Sequence, residues 1–170
     1  MKTITVLLII IGFNFYSLQT SVTQKTDSEI ICNYIKDSLM NYRPLTIESK
    51  GTVPWLKTYM SKSYACALDY DGSGNMSYAL LLKGSTNKKL FLFCFSINDT
   101  IVKYCKIDSF NIANIKNPEV ELSVYPKGIW ESFDKEVQVK YDGILVENLY
   151  ESLSFAYYFK NGKFIKFLFD

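Results

Sequence analysis

The spacing of hydrophobic residues changes from helical to strand-like near residue 64. Before that point, Thr26 and Glu29 form a T-x-x-E capping box ahead of apolar residues at helical spacing, and Pro44 ends the helical pattern. The apolar residues of this helix are Ile30, Ile31, Tyr34, Ile35 and Leu39. Pro54 is placed to begin a second, short helix.

From residue 64 onward, short apolar runs alternate with polar turns, which is typical of antiparallel strands. Asn161-Gly162 separates the last two runs and predicts a type I′ hairpin with Phe159 opposite Phe164. The predicted strands are Tyr64–Tyr70, Ser77–Lys83, Lys89–Ile97, Ile101–Ile107, Val120–Tyr125, Val137–Tyr141, Ile144–Leu149, Ser154–Lys160 and Lys163–Phe169. This order predicts an α+β fold, in which the N-terminal helix packs on one meandering antiparallel β-sheet.

The first 24 residues have the layout of a secretory signal peptide. Lys2 precedes an apolar run that reaches about Phe15, and polar residues follow. The run is shorter than the roughly 20 residues that a membrane-spanning helix needs. We therefore predict cleavage between Leu18 and Gln24, which leaves residues 25–170 as a single globular domain. That domain is expected to be exported to the periplasm or secreted, with no membrane insertion after the signal peptide is removed.

An even number of cysteines in an exported chain predicts two disulfides, for which three connectivities exist. If residues 99–100 form a two-residue loop, Cys94 lies opposite Cys105, and the other two cysteines are left to pair with each other. A loop shifted by one residue would break this match. The four cysteines are Cys32, Cys66, Cys94 and Cys105. They form no CxxC pair, and the chain has no histidine, so their spacing does not indicate zinc.

One segment carries oxygen-bearing side chains at every second position, with glycines between them. These are the candidate calcium ligands Asp69, Asp71, Ser73, Asn75 and Ser77. Residues 67–82 resemble the D-F-[DN]-G-D-G-x-x-D-Y-A signature of FG-GAP and VCBS-type repeats, which are calcium-loop strand pairs. The resemblance implies a bound calcium ion, the only cofactor that we consider. Serines stand at two positions that are acidic in the family, and the chain has one copy, too few for a propeller. The alternative is a turn held by Asx-type hydrogen bonds.

The residue types argue against an enzyme. The absence of histidine removes the commonest general base and the commonest metal ligand. A carboxylate pair is the catalytic option that is left, and a glycosidase needs two such groups close together. The candidates are Glu119 with Glu121, and Glu131 with Asp134 and Glu136. The formal net charge is only +2, so a nucleic-acid partner is not expected.

We therefore predict an exported, non-enzymatic binding protein whose partner is another protein. A specific form is an inhibitor or immunity-type protein that recognises an envelope toxin or hydrolase. Trp55 and Trp130 follow turns, and either could serve as an exposed binding anchor. One alternative is a glycan- or adhesion-type module with a structural calcium ion. A carboxylate-dependent hydrolase is the other.

Overall fold

The predicted N-terminal helix is present. In the computed structural model, which describes residues 26–45, 60, 63–85, 89–99, 101–111, 120–148 and 152–169, α1 spans Asp27–Ser38. The Thr26 hydroxyl accepts from the Glu29 amide at 3.4 Å, and the Thr26 amide donates to the Glu29 carboxylate at 2.9 Å. This reciprocal pair satisfies amide groups that the first helical turn leaves without intrahelical partners. The predicted signal peptide lies outside the described residues, as does the second helix except for Met60.

Most of the described chain is β-structure, so the α+β prediction is wrong. Strands make up 65% of the structure and helices 12%. The strands are β1 (Tyr42–Pro44), β2 (Ala65–Leu68), β3 (Ser77–Gly84), β4 (Lys89–Asn98), β5 (Ile101–Asn111), β6 (Val120–Tyr125), β7 (Gly128–Ser132), β8 (Lys135–Val139), β9 (Gly143–Asn148), β10 (Leu153–Lys160) and β11 (Lys163–Phe169). The sequence pattern did not predict β1 or β7, and it placed β8 two residues too late.

The strands form two antiparallel sheets and a separate hairpin instead of one meander. In the first sheet the order is β1-β3-β4-β5, and β2 pairs with β3 beside β1. In the second sheet the order is β11-β10-β9-β6, and β7 pairs with β8 alone. Both predicted turns are correct, since Cys94 lies opposite Cys105 and Phe159 lies opposite Phe164. Short turns fix hairpin register locally, whereas sheet assignment depends on distant contacts.

The first sheet is buried on both faces, which explains why its central strands are apolar at consecutive positions. Leu80 and Leu82 face α1, where they pack with Ile31 and Ile35. Leu81 faces the second sheet and belongs to the core between the two sheets. A sequence that is apolar on both faces predicts burial but does not identify the element on each side. The result is a β-sandwich with α1 on its outer face.

The β7–β8 hairpin covers the outer face of the second sheet. Trp130 is its main contact and packs with Ala156 and Phe167. Large apolar side chains on both faces of the β10–β11 hairpin predict a position centrally in the sheet or under the helix. Instead β10 is central, β11 is an edge strand, and the covering element is the β7–β8 hairpin.

The predicted disulfides are absent, because all four cysteines are free thiols. Cys32 and Cys66 cannot approach each other, since the first sheet separates them: Cys32 belongs to α1 on one face, and Cys66 is buried on the other. Cys94 and Cys105 do lie side by side, as their predicted register requires. Their sulfurs are nevertheless not bonded to each other. Correct register brings two thiols together without forming the covalent bond.

No helix within the described parts of the chain has both the length and the apolar character to cross a membrane.

Candidate functional site

The predicted calcium loop follows β2 and turns its carboxylates toward its own main chain. One oxygen of Asp69 accepts from the Gly72 amide and the other from the Gly74 amide, each at 2.9 Å. Asp71 accepts from the Ser73 amide at 3.0 Å. Hydrogen bonds from Ser73 hold the pKa of Asp71 below its ordinary value. These are the contacts of the Asx-turn alternative.

The remaining candidate ligands bond within the loop or to the neighbouring strand. Ser77 is buried, and its hydroxyl lies 2.8 Å from the Ser96 hydroxyl on the neighbouring strand. The Ser73 hydroxyl accepts from the Asn75 amide at 3.3 Å. Across the described ranges, no cluster of three or more histidine, cysteine, aspartate or glutamate residues could hold a metal ion. Because oxygens of Asp69, Asp71 and Ser73 accept main-chain hydrogen bonds, these contacts match the Asx-turn alternative, and calcium binding by the loop stays a prediction.

The loop lies against the end of the β10–β11 hairpin. The Tyr70 ring lies 4.7 Å from the Phe159 ring and 5.0 Å from the Phe164 ring, between centroids. The Tyr70 hydroxyl lies 3.4 Å from the Ser96 hydroxyl. Tyr70 therefore links the first sheet to the hairpin of the second sheet, and a groove opens beside it.

This groove, which we call the edge groove, has a volume of about 390 Å³ and runs between β5 and the end of the β10–β11 hairpin. One wall comes from each sheet. Its lining residues are Tyr70, Cys94, Ser96, Lys103, Tyr104, Cys105, Lys106, Ile107, Phe159, Gly162, Lys163 and Phe164. A groove of this volume can enclose a short peptide segment or a small ligand.

The charge on the edge groove is positive. Lys103 is on β5 and Lys163 is at the start of β11, so each sheet contributes one ammonium group. None of the described lining residues is an aspartate or glutamate. Lys106 contributes differently, because its ammonium lies 5.5 Å from the centroid of Phe91 on the α1 face of the sheet. Lys106 therefore lines the groove with its main chain and not with its ammonium group.

One edge of β5 also lacks a partner strand among the described residues. Within the described residues, no strand pairs with the edge of β5 that faces away from β4. Residues 103–106 are all exposed. An unpaired strand edge presents a row of amide and carbonyl groups that another extended chain can pair with.

Two thiols lie in the floor of the edge groove. Cys94 is buried and Cys105 is exposed, and both side chains point toward the second sheet. Burial raises the pKa of the Cys94 thiol well above its ordinary value and also raises that of Cys105. Because the thiolate is the nucleophilic form, these cysteines are not activated for covalent catalysis at neutral pH.

A second groove of about 360 Å³, the hairpin groove, lies on the other side of the same β-hairpin. Phe159 lines both grooves, and the predicted calcium loop lies between them, with Tyr70 in one and Asp71 in the other. Lys140 and Lys160 line the hairpin groove together with Asp71, so its charge is mixed. The edge groove has the more uniform charge and is the stronger candidate site.

A polar cluster lies further along the open edge of the sandwich. Asp108 on β5 accepts a hydrogen bond from the Tyr157 hydroxyl on β10. It also accepts from the Lys166 ammonium on β11, which lies 3.2 Å away. Burial alone would raise the pKa of Asp108, but hydrogen bonds from Tyr157, the Ser109 amide and Lys166 outweigh it and lower that pKa. Burial and the Asp108 carboxylate raise the pKa of Tyr157. The cluster joins the two sheets beside the edge groove.

The sequence pattern did not predict this cluster because of a β-bulge. Leu92 pairs with Asp108 and Phe93 pairs with Lys106, so Ile107 is an extra residue in β5. Strict alternation along β5 would place Asp108 on the α1 face, whereas the bulge turns it toward the second sheet. No local signal in the sequence marks this bulge.

The other predicted site residues that the structure describes lie away from both grooves. Trp130 is only 1% exposed and donates its indole N–H to the Pro126 carbonyl at 2.8 Å, so it is a core residue and not an exposed anchor. Trp55 and Glu119 lie outside the described residues. Glu131 and Glu136 oppose each other on β7 and β8, both exposed. Glu121 and Asp134 are likewise exposed, and neither lines a groove.

The fold and the site define a two-sheet antiparallel β-sandwich with a cationic groove at its open edge. No protein-family model, no curated protein and no solved structure matches the chain. Functional inference therefore depends on the geometry of the grooves.

Proposed function

We propose that this protein is an exported, non-enzymatic binding protein that holds an extended acidic segment of another protein in the edge groove. The observation that supports this proposal most directly is the open edge of β5 beside Lys103 and Lys163, in a groove whose described lining has no carboxylate. The main chain and the charges each contribute a separate part of the recognition.

The main chain of β5 favours a partner in extended conformation. A peptide that adds to a free strand edge gains main-chain hydrogen bonds, and its alternate side chains enter the neighbouring groove. The strand β5 spans Ile101–Asn111, long enough to pair with a segment of ordinary strand length. A segment paired here would lie along the wall that carries Lys103.

The lysines favour acidic side chains on that segment. Lys103 and Lys163 come from opposite walls, so a carboxylate between them would be attracted by both ammonium groups. Complementary charge contributes mainly to association rate and to the rejection of wrong partners. A basic segment would bring like charges together in the groove and is expected to bind poorly.

A binding role also accords with the chemistry of the grooves. The chain has no histidine, and burial raises the pKa of both thiols in the edge groove. Glu131 and Glu136 lie on the β7–β8 hairpin and line neither groove. Within the binding class, an inhibitor or immunity-type protein remains the form that we favour, with an envelope toxin or hydrolase as its partner.

Fluorescence anisotropy with defined peptides tests the proposal. The probe is a labelled peptide of alternating glutamate and valine, about eight residues long, which matches an ordinary strand. We expect saturable binding that weakens with salt, and weakening of about tenfold or more in a Lys103→Glu, Lys163→Glu variant. Tenfold corresponds to about 1.4 kcal/mol, a reasonable value for reversing two partly desolvated contacts.

Three controls separate charge from main-chain pairing. A Lys89→Glu variant changes an exposed lysine at the far end of β4 and should bind the peptide as the unmodified protein does. A lysine-valine peptide should not bind. The acidic peptide with alternate amides N-methylated keeps its charges but cannot pair fully with β5, so it should bind weakly. Equal binding of the methylated peptide, or binding of a neutral oligosaccharide at the same site, would overturn the proposal.

A further inference from the structure

Three of the four cysteines lie in one row across the first sheet, on the face toward the second sheet. Cys66 on β2 pairs with Ala79 on β3, Ala79 pairs with Cys94 on β4, and Cys94 pairs with Cys105 on β5. Neighbouring strands are about 4.8 Å apart, so Cys66 is about 10 Å from Cys94, while Cys94 and Cys105 are immediate neighbours. Cys94 and Cys105 form a true pair of sulfur donors, and Cys66 stands apart from it.

We propose that Cys94 and Cys105 form a two-coordinate site for a soft monovalent metal ion, Cu(I), in the floor of the edge groove. This inference does not depend on the proposed peptide binding. Directly opposed residues on antiparallel strands have Cβ atoms about 4.5–5.5 Å apart. With the metal–sulfur distance of zinc thiolates, about 2.3 Å, two sulfurs on opposite sides of one ion are about 4.6 Å apart. The register brings the two Cβ atoms close enough for their sulfurs to reach such a separation by side-chain rotation.

The donor set selects the metal. Thiolates are the ligands that Cu(I) prefers, and zinc in a structural site takes four ligands. Here the described groove lining offers two sulfurs, the hydroxyls of Tyr70, Ser96 and Tyr104, and no carboxylate. The chain has no histidine, and Cys66 is too distant to supply a third sulfur. This set satisfies an ion that accepts two sulfur ligands and leaves a four-coordinate ion incomplete.

The positive charges near Cys94 and Cys105 favour the negatively charged Cu(I) complex that the two thiolates would form. Each thiol releases one proton to solvent when it binds, so one Cu(I) and two thiols give a bis-thiolate complex with a charge of −1 and two protons. Lys103 lies two residues from Cys105 on the same strand, and Lys163 lies on the opposite wall of the groove. Both ammonium groups can balance the negative charge. Cys105 is exposed and Cys94 is buried, so Cys105 provides the point of entry.

The test is a Cu(I) titration of the reduced, signal-free chain under anaerobic conditions, in competition with a chromophoric Cu(I) chelator. We expect uptake of one ion per chain, accompanied by thiolate-to-copper absorption in the near ultraviolet. Cys105→Ser replaces an exposed residue and should fold normally. It should lose more affinity than the roughly 10–100-fold that outer-shell changes cost at metal sites. Cys94→Ser should show the same loss, with circular dichroism to verify its fold.

Cys32→Ser is the matched control, because Cys32 lies on the other face of the first sheet and should leave uptake unchanged. Zn(II) in the same assay should not displace Cu(I). The proposal is overturned if the Cys105→Ser variant retains tight uptake, if Cys32→Ser removes it, or if the unmodified chain takes up no Cu(I). X-ray absorption of the loaded protein should show two sulfur neighbours, and a third sulfur would contradict the assigned pair.

Discussion

The Lys166 ammonium lies 3.2 Å from the Asp108 carboxylate, and this ion pair joins β11 to β5. These are the edge strands of the two sheets, so the pair closes the sandwich where no hydrogen-bonded ladder can. The Lys166 ammonium also lies 3.8 Å from the centroid of the Phe155 ring, which places the cation over the apolar core. The geometry of the edge groove depends on how firmly the two sheets are held at this point.

Replacement of Asp108 by asparagine should lower the free energy of unfolding by about 1 kcal/mol at neutral pH. The side chains of the ion pair are 32% and 40% exposed, so solvent screens part of the attraction. The side-chain oxygen of asparagine can still accept from the Tyr157 hydroxyl, which limits the loss further. Chemical denaturation of both proteins measures the difference. Asp134→Asn is the control, because its pair with Lys135 is 3.9 Å long and highly exposed, and it should cost a few tenths of a kcal/mol at most.

The free energies of unfolding of the unmodified protein and of Asp108→Asn should become equal in acid. The pKa of Asp108 is lowered in the folded state, so the carboxylate stabilises the fold above its unfolded value, about 3.9. This contribution is lost as the pH falls through the folded pKa. The difference between the unmodified protein and Asp108→Asn should therefore be constant near neutral pH and shrink below about pH 4. A difference that persists unchanged in acid would show that charge is not its source.

A second prediction concerns the attachment of α1 to the first sheet. The Tyr78 hydroxyl on β3 donates to the Asp27 carboxylate at 2.6 Å. Burial, together with this carboxylate, raises the pKa of Tyr78 from 10.0 to about 12. Because the folded pKa is raised, the contribution is complete below about pH 10 and is lost as the pH rises toward 12. Tyr78→Phe should cost about 1 kcal/mol at neutral pH.

The dependence of stability on pH in the alkaline range distinguishes this hydrogen bond from simple packing. Between about pH 10 and 12, the unmodified protein should lose stability faster than Tyr78→Phe, because only the former carries this titrating hydroxyl. Denaturant unfolding at several pH values in this window measures the two slopes. Comparison of the two proteins cancels the other tyrosines. Parallel slopes would mean that the hydrogen bond to Asp27 does not control the ionisation of Tyr78.

Local features of the fold could be predicted from sequence, because short-range chemistry determines them. The Thr26 capping box fixed the start of α1. Asn161 and Gly162 both have positive φ, as the predicted type I′ turn requires. The register of Cys94 with Cys105 followed from a two-residue loop. Each of these depends on residues that are neighbours along the chain or across one turn.

The layers of the fold and the groove could not be predicted in the same way. Leu80 to Leu82 indicated burial on both faces but did not reveal that α1 covers one face and the second sheet the other. Lys103 and Lys163 lie near the starts of two different strands, and they share a groove only because two sheets meet. The bulge at Ile107 reverses the face of Asp108 without a local signal.

A third prediction concerns the loop that resembles a calcium-binding repeat. Asp69 accepts two main-chain hydrogen bonds, so Asp69→Ala should lower the free energy of unfolding by roughly 1–3 kcal/mol. Asp71→Ala loses one such bond and should cost less. Thermal melts in calcium and in a chelator provide the measurement. The melting temperature of the unmodified protein should be the same in both solutions. A calcium-dependent rise that is lost in Asp69→Ala would instead support the calcium site that the resemblance implies.

The fourth prediction compares two glycines of that loop. Gly72 and Gly74 have φ of +73° and +80°, so alanine at either position should cost about 1–2 kcal/mol in backbone strain. A Cβ atom at Gly74 would meet nothing within 4 Å, whereas one at Gly72 would overlap a ring carbon of Tyr141. The Gly72→Ala variant should therefore be the less stable of the two, by about 1–3 kcal/mol from overpacking.

A double-mutant cycle with Tyr141→Ala identifies the source of that excess. Removal of the ring should eliminate the difference between Gly72→Ala and Gly74→Ala, because only backbone strain then remains. Tyr141 also lines the hairpin groove, so its displacement would change the shape of that groove. If Gly72→Ala costs no more than Gly74→Ala in the unmodified background, the Tyr141 ring moves aside freely. In that case the ring does not hold the loop against the β8–β9 connection.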